Sequence, residues 1–477
     1  MTMNRRKFLQ TAGVGAGLGM AGASSAFHNS DFGISPISGR PYIQPTYGDV
    51  GNVNVLGYCD MSYKGTGKAQ GWDQIYDFKV RDTPQGRFAY CPNGAPGWSI
   101  VDVTNPRDMF VTYRQPWDTL PDNSNYLAIS NRTGLMVPKR NQRIEVWDVN
   151  DPYNPTLQGV YRPPDIGTFS YHGLQIQDGT GPYRGRVFVY VACRFIGFTD
   201  MIMQILDITD PKNIREMSRW WYPGMNTGAG EVPTWPTDGS VTVQMHDSAI
   251  YGDRAYVAWR DKGCIILDIS DVTRPRMVGQ INWADGRPDF PSLPGQTHKF
   301  GLVIPPNGGP IETIISEDEL GTCPFGYMHV IDVRDETLPR EISEFKLPIN
   351  LHGNCPKDRL GNRMGTHDMV TYITNNHVWC AWEEGGFWVT DISDIHHLKA
   401  VGWFIPPVRS DSARRTGHAD DVFEMPDGMI YGSSSDAQAG GLWAMRYKKG
   451  FYGKAKWNAA ENGVEIEQVP RNDGGPA

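Results

Sequence analysis

Residues 246–270 read His246-Asp247-Ser248-Ala249-Ile250-Tyr251, Gly252-Asp253, Arg254-Ala255-Tyr256-Val257-Ala258-Trp259-Arg260, Asp261-Lys262, and Gly263-Cys264-Ile265-Ile266-Leu267-Asp268-Ile269-Ser270. Two half-apolar runs flank a Gly-Asp pair, the chemistry of a two-residue hairpin turn. A third run ends in Asp plus Ile, and residues 275–283 supply a fourth. Four short antiparallel strands form one small sheet with two open edges and two apolar faces, so such a unit needs neighbours of its own kind.

Those neighbours are present. The apolar run ending in Asp recurs as Trp98-Ser99-Ile100-Val101-Asp102-Val103, Ile144-Glu145-Val146-Trp147-Asp148-Val149, Met203-Gln204-Ile205-Leu206-Asp207-Ile208, Met328-His329-Val330-Ile331-Asp332-Val333 and Phe387-Trp388-Val389-Thr390-Asp391-Ile392. A degenerate copy is Gly441-Leu442-Trp443-Ala444-Met445-Arg446. A self-similar unit at this period signals a repeat architecture. The sequence therefore predicts an all-β fold, a seven-bladed β-propeller with four antiparallel strands per blade. Its 54 Gly and 35 Pro go to tight turns, and its 15 Trp to blade packing. The repeated Asp, followed by Ser, Thr or Asn and a proline turn, reads as a cap for turn amides rather than a catalytic group.

With these runs the chain resembles the LVIVD-repeat family, whose unit is a short apolar run ending in Asp, as in Ile205-Leu206-Asp207-Ile208. The resemblance implies a propeller and leaves the reaction open.

The first residues are an address. Arg5-Arg6-Lys7-Phe8-Leu9, a Gly/Ala-rich apolar run and small residues near Ala21, Ala23 and Ala26 resemble a twin-arginine signal. The expected organisation is a signal peptide over 1–26, an N-terminal extension packing on the ring over 27–70, the propeller over 71–450 and a C-terminal tail over 451–477. The mature protein is expected to be periplasmic or otherwise exported, with no membrane span. Net charge is −8, which gives no sequence-independent grip on nucleic acid. Seven cysteines lack CxxC spacing; Cys323 with Cys355 is the pair proposed for any disulfide, and Cys193 and Cys264 read as buried hydrophobes. Oligomeric state stays open.

Aligned on the repeat Asp, five units carry histidine where the first strand begins: His172, His246, His298, His367 and His418. The other two carry Trp72 or Gln74, and Asn125 or Tyr126. Eleven histidines in 477 residues do not put five at one register position by chance. First strands line a propeller's channel, so these five are expected to ring one mouth. Charged imidazoles there would repel, whereas neutral ones can surround a cation. A transition metal ion is the economical reading, Fe or Cu favoured and Zn the alternative, because the matching position offers nitrogen and no Cys or carboxylate cluster.

Second strands return to the same mouth and end in Lys139, Arg194, Arg260, Glu317 and Glu383, with Asp318-Glu319 and Glu384 following. Glu317 and Glu383 are candidates for general base or ligand support, Arg194 and Arg260 for an anion clamp. Asp247 and Asp368 follow their histidines on the opposite strand face and read as strand braces. Long connections at 222–244, 284–296, 348–365 and 406–416 are expected to form lids over the histidines, with Trp221, Trp235, Phe290, His352 and Trp403 as wall candidates.

Phosphate-binding loops, HExxH and a serine nucleophile elbow are missing from the sequence. Met245-His246-Asp247-Ser248-Ala249-Ile250 is similar to the metal-histidine strand of carotenoid-cleavage oxygenases, a propeller family with four histidines on iron. That hexapeptide implies geometry more than reaction. Three functions are carried: an exported oxidoreductase or oxygenase acting on a small organic or sulfur-containing substrate, a metal-dependent hydrolase or lyase using Glu317 or Glu383, and a non-catalytic interaction propeller.

Overall fold

A computed structural model describes residues 48–63, 72–118, 123–281, 296–320, 325–347, 365–407, 418–435, 440–458 and 463–470. Apart from three single 3-10 turns, the regular structure among these residues is β. The strands are β1 (Asp49–Cys59), β2–β5 (Lys79–Thr83, Gly86–Pro92, Gly97–Asp102, Phe110–Pro116), β6–β9 (Leu127–Ile129, Leu135–Pro138, Ile144–Asp148, Thr156–Tyr161), β10–β13 (Ile166–Asp178, Val187–Phe195, Ile202–Asp207, Arg215–Trp220) and β14–β17 (Ser248–Tyr251, Arg254–Ala258, Cys264–Asp268, Arg276–Ile281). They continue as β18–β21 (Thr297–Val303, Thr313–Asp318, Met328–Asp332, Arg340–Phe345), β22–β25 (Tyr372–Ile373, His377–Ala381, Phe387–Asp391, Lys399–Phe404), β26–β28 (Val422–Glu424, Ile430–Ser434, Gly441–Asn458) and β29 (Gly463–Pro470).

Four antiparallel sheets follow chain order: β2 to β5, β6 to β9, β10 to β13 and β14 to β17. A five-stranded sheet adds β22, parallel, to β18 beside β19, β20 and β21. The eight-stranded sheet runs β23-β24-β25-β1-β28-β27-β26, with β29 on β28. The expected boundaries at 70 and 450 do not follow the hydrogen bonding. β1 lies inside a sheet, from Asp49↔Lys454 to Cys59↔Leu442 on β28, and touches β25 at Val50↔Phe404. β28 itself passes residue 450 and pairs with β29. The signal segment 1–26 and the Cys323–Cys355 pair lie outside the described residues; Cys59, Cys91, Cys193, Cys264 and Cys380 are free and buried.

The repeat Asp does what the sequence predicts. In all six full copies its Oδ1 accepts the amide two residues on, from Thr104, Asn150, Thr209, Ser270, Arg334 and Ser393, at 2.8–3.0 Å. Immediately before each Asp the third strand shifts register against the fourth, at Ile100/Val101, Val146/Trp147, Ile205/Leu206, Ile266/Leu267, Val330/Ile331 and Val389/Thr390. A bulge raises local twist, which turns the outer strand toward the next sheet.

Small residues on the outer strand meet the next sheet's Asp turn. A methyl group on Gly159, Gly279 or Gly57 would stand 1.7, 1.8 or 1.9 Å from the carbonyl oxygens of Pro211, Glu336 and Pro106. Elsewhere a hydroxyl fills the place and donates: Ser218 Oγ to Val272 O at 2.6 Å, and Ser343 Oγ to Ile395 O. Core clusters span neighbouring sheets, one running from Val137 and Val146 through Val189 and Ile205 to Val257 and Leu267. The sheets thus stack face on face, with first strands side by side.

Gly279→Ala is expected to cost about 1–3 kcal/mol, because backbone must move to admit the methyl. Met277→Ala, two residues earlier on an exposed site, is expected to stay within about 0.5 kcal/mol. Denaturant unfolding of both variants checks the inter-sheet contact.

Candidate metal centre

The first strands bring four of the five registered histidines into contact. Ring centroids are 4.2 Å apart for His172–His246, 4.0 Å for His246–His298 and 4.7 Å for His298–His367. Tyr126, at the matching position ahead of β6, extends the row at 4.9 Å from His172 and 6.1 Å from His246. Backbone pairing fixes where the strands begin: His246 N donates to Ala258 O at 2.8 Å and His367 N to Ala381 O at 2.9 Å. His418 is buried, its Nε2 3.4 Å from Asp420 Oδ1.

Two imidazoles are oriented from behind. His298 Nδ1 lies 2.5 Å from Glu317 Oε1, and His367 Nδ1 donates to Asp420 O at 2.8 Å. A histidine held this way at one nitrogen presents the other, which is how protein frames prepare metal ligands. His298 Nε2 is 3.6 Å from Glu319 Oε2, and ligand atoms of His246, His298 and Glu319 all lie within 4.8 Å of one another. Nδ1 of His172 and of His246 is buried and lacks a hydrogen-bond partner among the described residues. Such orphaned atoms are uncommon and call for a reason.

Charged rim residues sort unequally. Arg260 is buried and its Nη1 meets Glu319 Oε2 at 2.8 Å. Glu317 is fully buried behind His298. Glu383 is buried; its carbonyl accepts Ala419 N at 2.8 Å, and its charge acts on His367. Arg194 instead pairs with Asp200 and is 41% exposed, so it takes no part in this cluster. Arg260 and Glu383 occupy equivalent turns, Trp259 N to Gly263 O and Trp382 N to Gly386 O, and both adopt the left-handed region at φ 42° and 40°. Residues other than glycine seldom hold that conformation without a structural reason, and here it carries two charges to the histidine mouth.

Burial dominates the electrostatics. It pushes His172 down to about 3, helped by Lys139 and Arg260, and takes His246 and His298 well below the usual range. Burial acts the same way on His367, but Asp420, Asp368, Glu319 and Glu383 outweigh it and hold that imidazole well above its ordinary value. Burial also lifts the Glu317 carboxyl. Three neutral imidazoles beside a partly anionic wall make an environment suited to a cation.

One residue deeper along the same strands lies a different layer. Lys299 Nζ is 3.2 Å from Asp77 Oδ2, 3.2 Å from Asp368 Oδ1 and 3.4 Å from Asp421 Oδ1. Asp247 also faces this charge, and its carboxyl is raised to about 7, first by burial and then by Asp77 and Asp368. Asp247 and Asp368 are thus more than the strand braces expected of them, although Asp247 does accept Ser248 N at 2.7 Å. Beyond Lys299 a cavity of about 210 Å³ opens between first strands, lined in part by Gln175, Thr371 and Glu424.

The connection at 222–244 lies against the Arg260 turn. Asp261 Oδ2 accepts Thr242 N at 2.7 Å, and Lys262 Nζ stands 5.4 and 5.8 Å from the rings of Tyr222 and Trp235. Trp221 donates to Glu231 within that connection. Trp403 is a core residue against Trp388 and not a wall. Phe290 and His352 lie outside the described residues. Glu319 and Lys299 carry more of the site than the sequence reading gave them. Lys299 had a visible signal, a lone cation at a position where other units carry Asp247 and Asp368.

Residues 245–282 match the model of the LVIVD repeat. Among solved structures the chain is similar to the structure of U3-55K, at 10% identity, covering 83% of this chain and 98% of that one with a TM-score of 0.52. It is also similar to the crystal structure of RRP9 WD40 repeats, at 10% identity, covering 85% and 100% with a TM-score of 0.53. A comparison with curated proteins found no match. At such identities the likeness shows the fold: this chain is an all-β propeller, and four of the six sheets among the described residues are four-stranded and antiparallel. No helix among the described residues is long and apolar enough to cross a membrane.

His329, outside the register, is buried between two carboxylates, Nε2 2.8 Å from Asp318 Oδ2 and Nδ1 2.6 Å from Glu341 Oε1. Burial opposes its charge, yet the two acids raise it to about 10. Its contribution is therefore full below about pH 6.5, the unfolded value, and is lost as pH rises through 10. His329→Gln is expected to cost about 3 kcal/mol at pH 6, with the gap to the native protein narrowing toward pH 10 in unfolding experiments.

Proposed function

We propose that this protein is an exported metalloenzyme: a seven-bladed propeller carrying a histidine-ligated transition metal on its axis and acting as an oxidoreductase or oxygenase on a small organic or sulfur-containing molecule. The observation that carries the reading is the row of four contacting imidazoles from four successive repeat units, with Glu317 orienting one of them at 2.5 Å. The blade count follows from dividing the eight-stranded sheet after β25, so that β1 becomes the outer strand of the last blade and β22 the inner strand of the sixth.

His172, His246 and His298, the neutral imidazoles, would hold the ion, with Glu319 as an oxygen donor and His367 joining them only by giving up the proton its acidic neighbours hold; a nitrogen-rich set of this kind suits iron or copper, and zinc less specifically. When bound, such an ion supplies one-electron or Lewis-acid chemistry. The chain's own residues do the rest. Arg260 fixes the Glu319 carboxylate at 2.8 Å, so that this oxygen is presented to the axis. Burial keeps Glu317 in its neutral form, and its Oε1 can accept from His298 Nδ1–H, which leaves Nε2 of that imidazole for the ion. His418, set aside from the row by Asp420, is free to serve the bound molecule. Tyr126 walls one side, and the 222–244 connection limits entry from solvent.

Export in folded form agrees with a centre loaded before secretion. A hydrolytic use of the same ion would place Glu317 in the role of proton carrier to water, and would show as a spectroscopically silent metal.

Elemental analysis of the reconstituted full chain is expected to find about one iron or copper with a visible or EPR signal. His298→Ala should abolish retention, and Glu317→Gln should weaken it by about 10–100-fold. Arg194→Ala should leave metal content unchanged. A protein that takes up no metal would leave a binding propeller as the reading.

A further inference from the structure

We propose that the Lys299 ammonium is a built-in cation: it fills an oxygen cage that a divalent ion would otherwise occupy, and thereby confines any axial metal to the imidazole layer. The second clause rests on the metal reading above; the first stands on the cage alone.

The cage is made of Asp77, Asp368 and Asp421, from the segments just ahead of β2, β22 and β26, each about 1% exposed. Their ligand oxygens lie within 4.8 Å of one another. Oxygens at that separation can share one hard ion, whose bonds of about 2.3–2.6 Å span a comparable distance. Lys299 Nζ sits 3.2–3.4 Å from all three, in the place such an ion would take. A second observation points the same way. Asp247, also 1% exposed, turns a buried Oδ2 toward no hydrogen-bond partner among the described residues, although it lies in the field of Lys299.

Chemistry separates the two layers. Carboxylate oxygens select calcium, manganese or magnesium, and imidazoles select later transition metals. The layers are one residue apart along the chain, since His246–Asp247, His298–Lys299 and His367–Asp368 are consecutive. Without a tethered ammonium the axis would offer two adjoining cation sites of opposite preference. A lysine fixed to β18 cannot be exchanged, chelated or replaced by whatever ion is abundant.

The test uses the full chain with Mn²⁺ as the probe, measured by equilibrium dialysis, elemental analysis and EPR. Lys299→Ala, which removes the charge and empties the space, is expected to take up one equivalent of Mn²⁺ more than the native protein treated identically. Mn²⁺ should raise the Tm of the variant and not of the native chain. Lys299→Met, which removes the charge but fills the space, should show no such uptake. Because four buried carboxylates that keep Lys79, on Asp77, but lose Lys299 threaten folding, Lys299→Ala combined with Asp247→Asn keeps the three-carboxylate cage at lower charge and should also gain one equivalent. The proposal is overturned if neither variant binds Mn²⁺ beyond the native level, including the case where both stay unfolded in its presence. The native protein's own metal count reports separately on the imidazole layer, so a failure there leaves the difference between variant and native chain readable.

Discussion

Lys299 carries an ammonium group inward, where Asp77, Asp368 and Asp421 arrive from the segments leading into three other first strands to meet it. Charges taken so far from water cost several kcal/mol each unless their partners are in place. The interaction therefore makes the positions of β2, β18, β22 and β26 conditional on one another. Long-range order around the axis is enforced by a charge that has nowhere else to go, and the imidazole row lies directly on top of it. Histidines one residue before Lys299 and Asp368 are held in register by the same pairing.

Convergence of first strands converts a residue repeated once per unit into a layer. The outer strands make convergence possible. Each bulge before the repeat Asp turns the fourth strand toward the next sheet, where Gly159 and Gly279 admit a turn carbonyl against bare backbone, and Ser218 and Ser343 bond to one. The spacing between sheets is thus set at the rim by turn carbonyls and at the hub by Lys299. Between those fixed radii the strand starts have little freedom, which is what a multi-histidine ligand set requires. Arg260 and Glu383 add strained turns at the same mouth, and strain of that kind is retained where the surrounding structure over-determines it.

Much of this was legible in the chain. The Asp-ended run gave the repeat and its turn cap, because an Asx cap depends on residues two apart and needs no tertiary context. The histidine register gave the row, because strand order in a repeat fold follows chain order. What failed to appear was long-range. β1 completes a sheet with β28 from the other end of the sequence, and nothing in Asp49–Cys59 alone names that partner. Arg194 sits at the same aligned position as Arg260, yet Asp200, six residues on, captures it. Glu319 reached the cluster through Arg260, a side-chain pairing between two sheets that alignment within units does not reveal. His418 shares the register but is drawn to Asp420, so membership of the row depended on a local carboxylate two residues away.

The central claim is that the imidazole row binds a metal ion on the propeller axis. X-ray absorption at the metal edge of the reconstituted full chain tests it most directly. The account predicts a shell of nitrogen and oxygen at about 2.0–2.2 Å with the outer-shell pattern of imidazole rings, lost when His246 and His298 are both replaced by alanine. A chain that retains no metal, or a shell dominated by sulfur at about 2.3 Å, would contradict it.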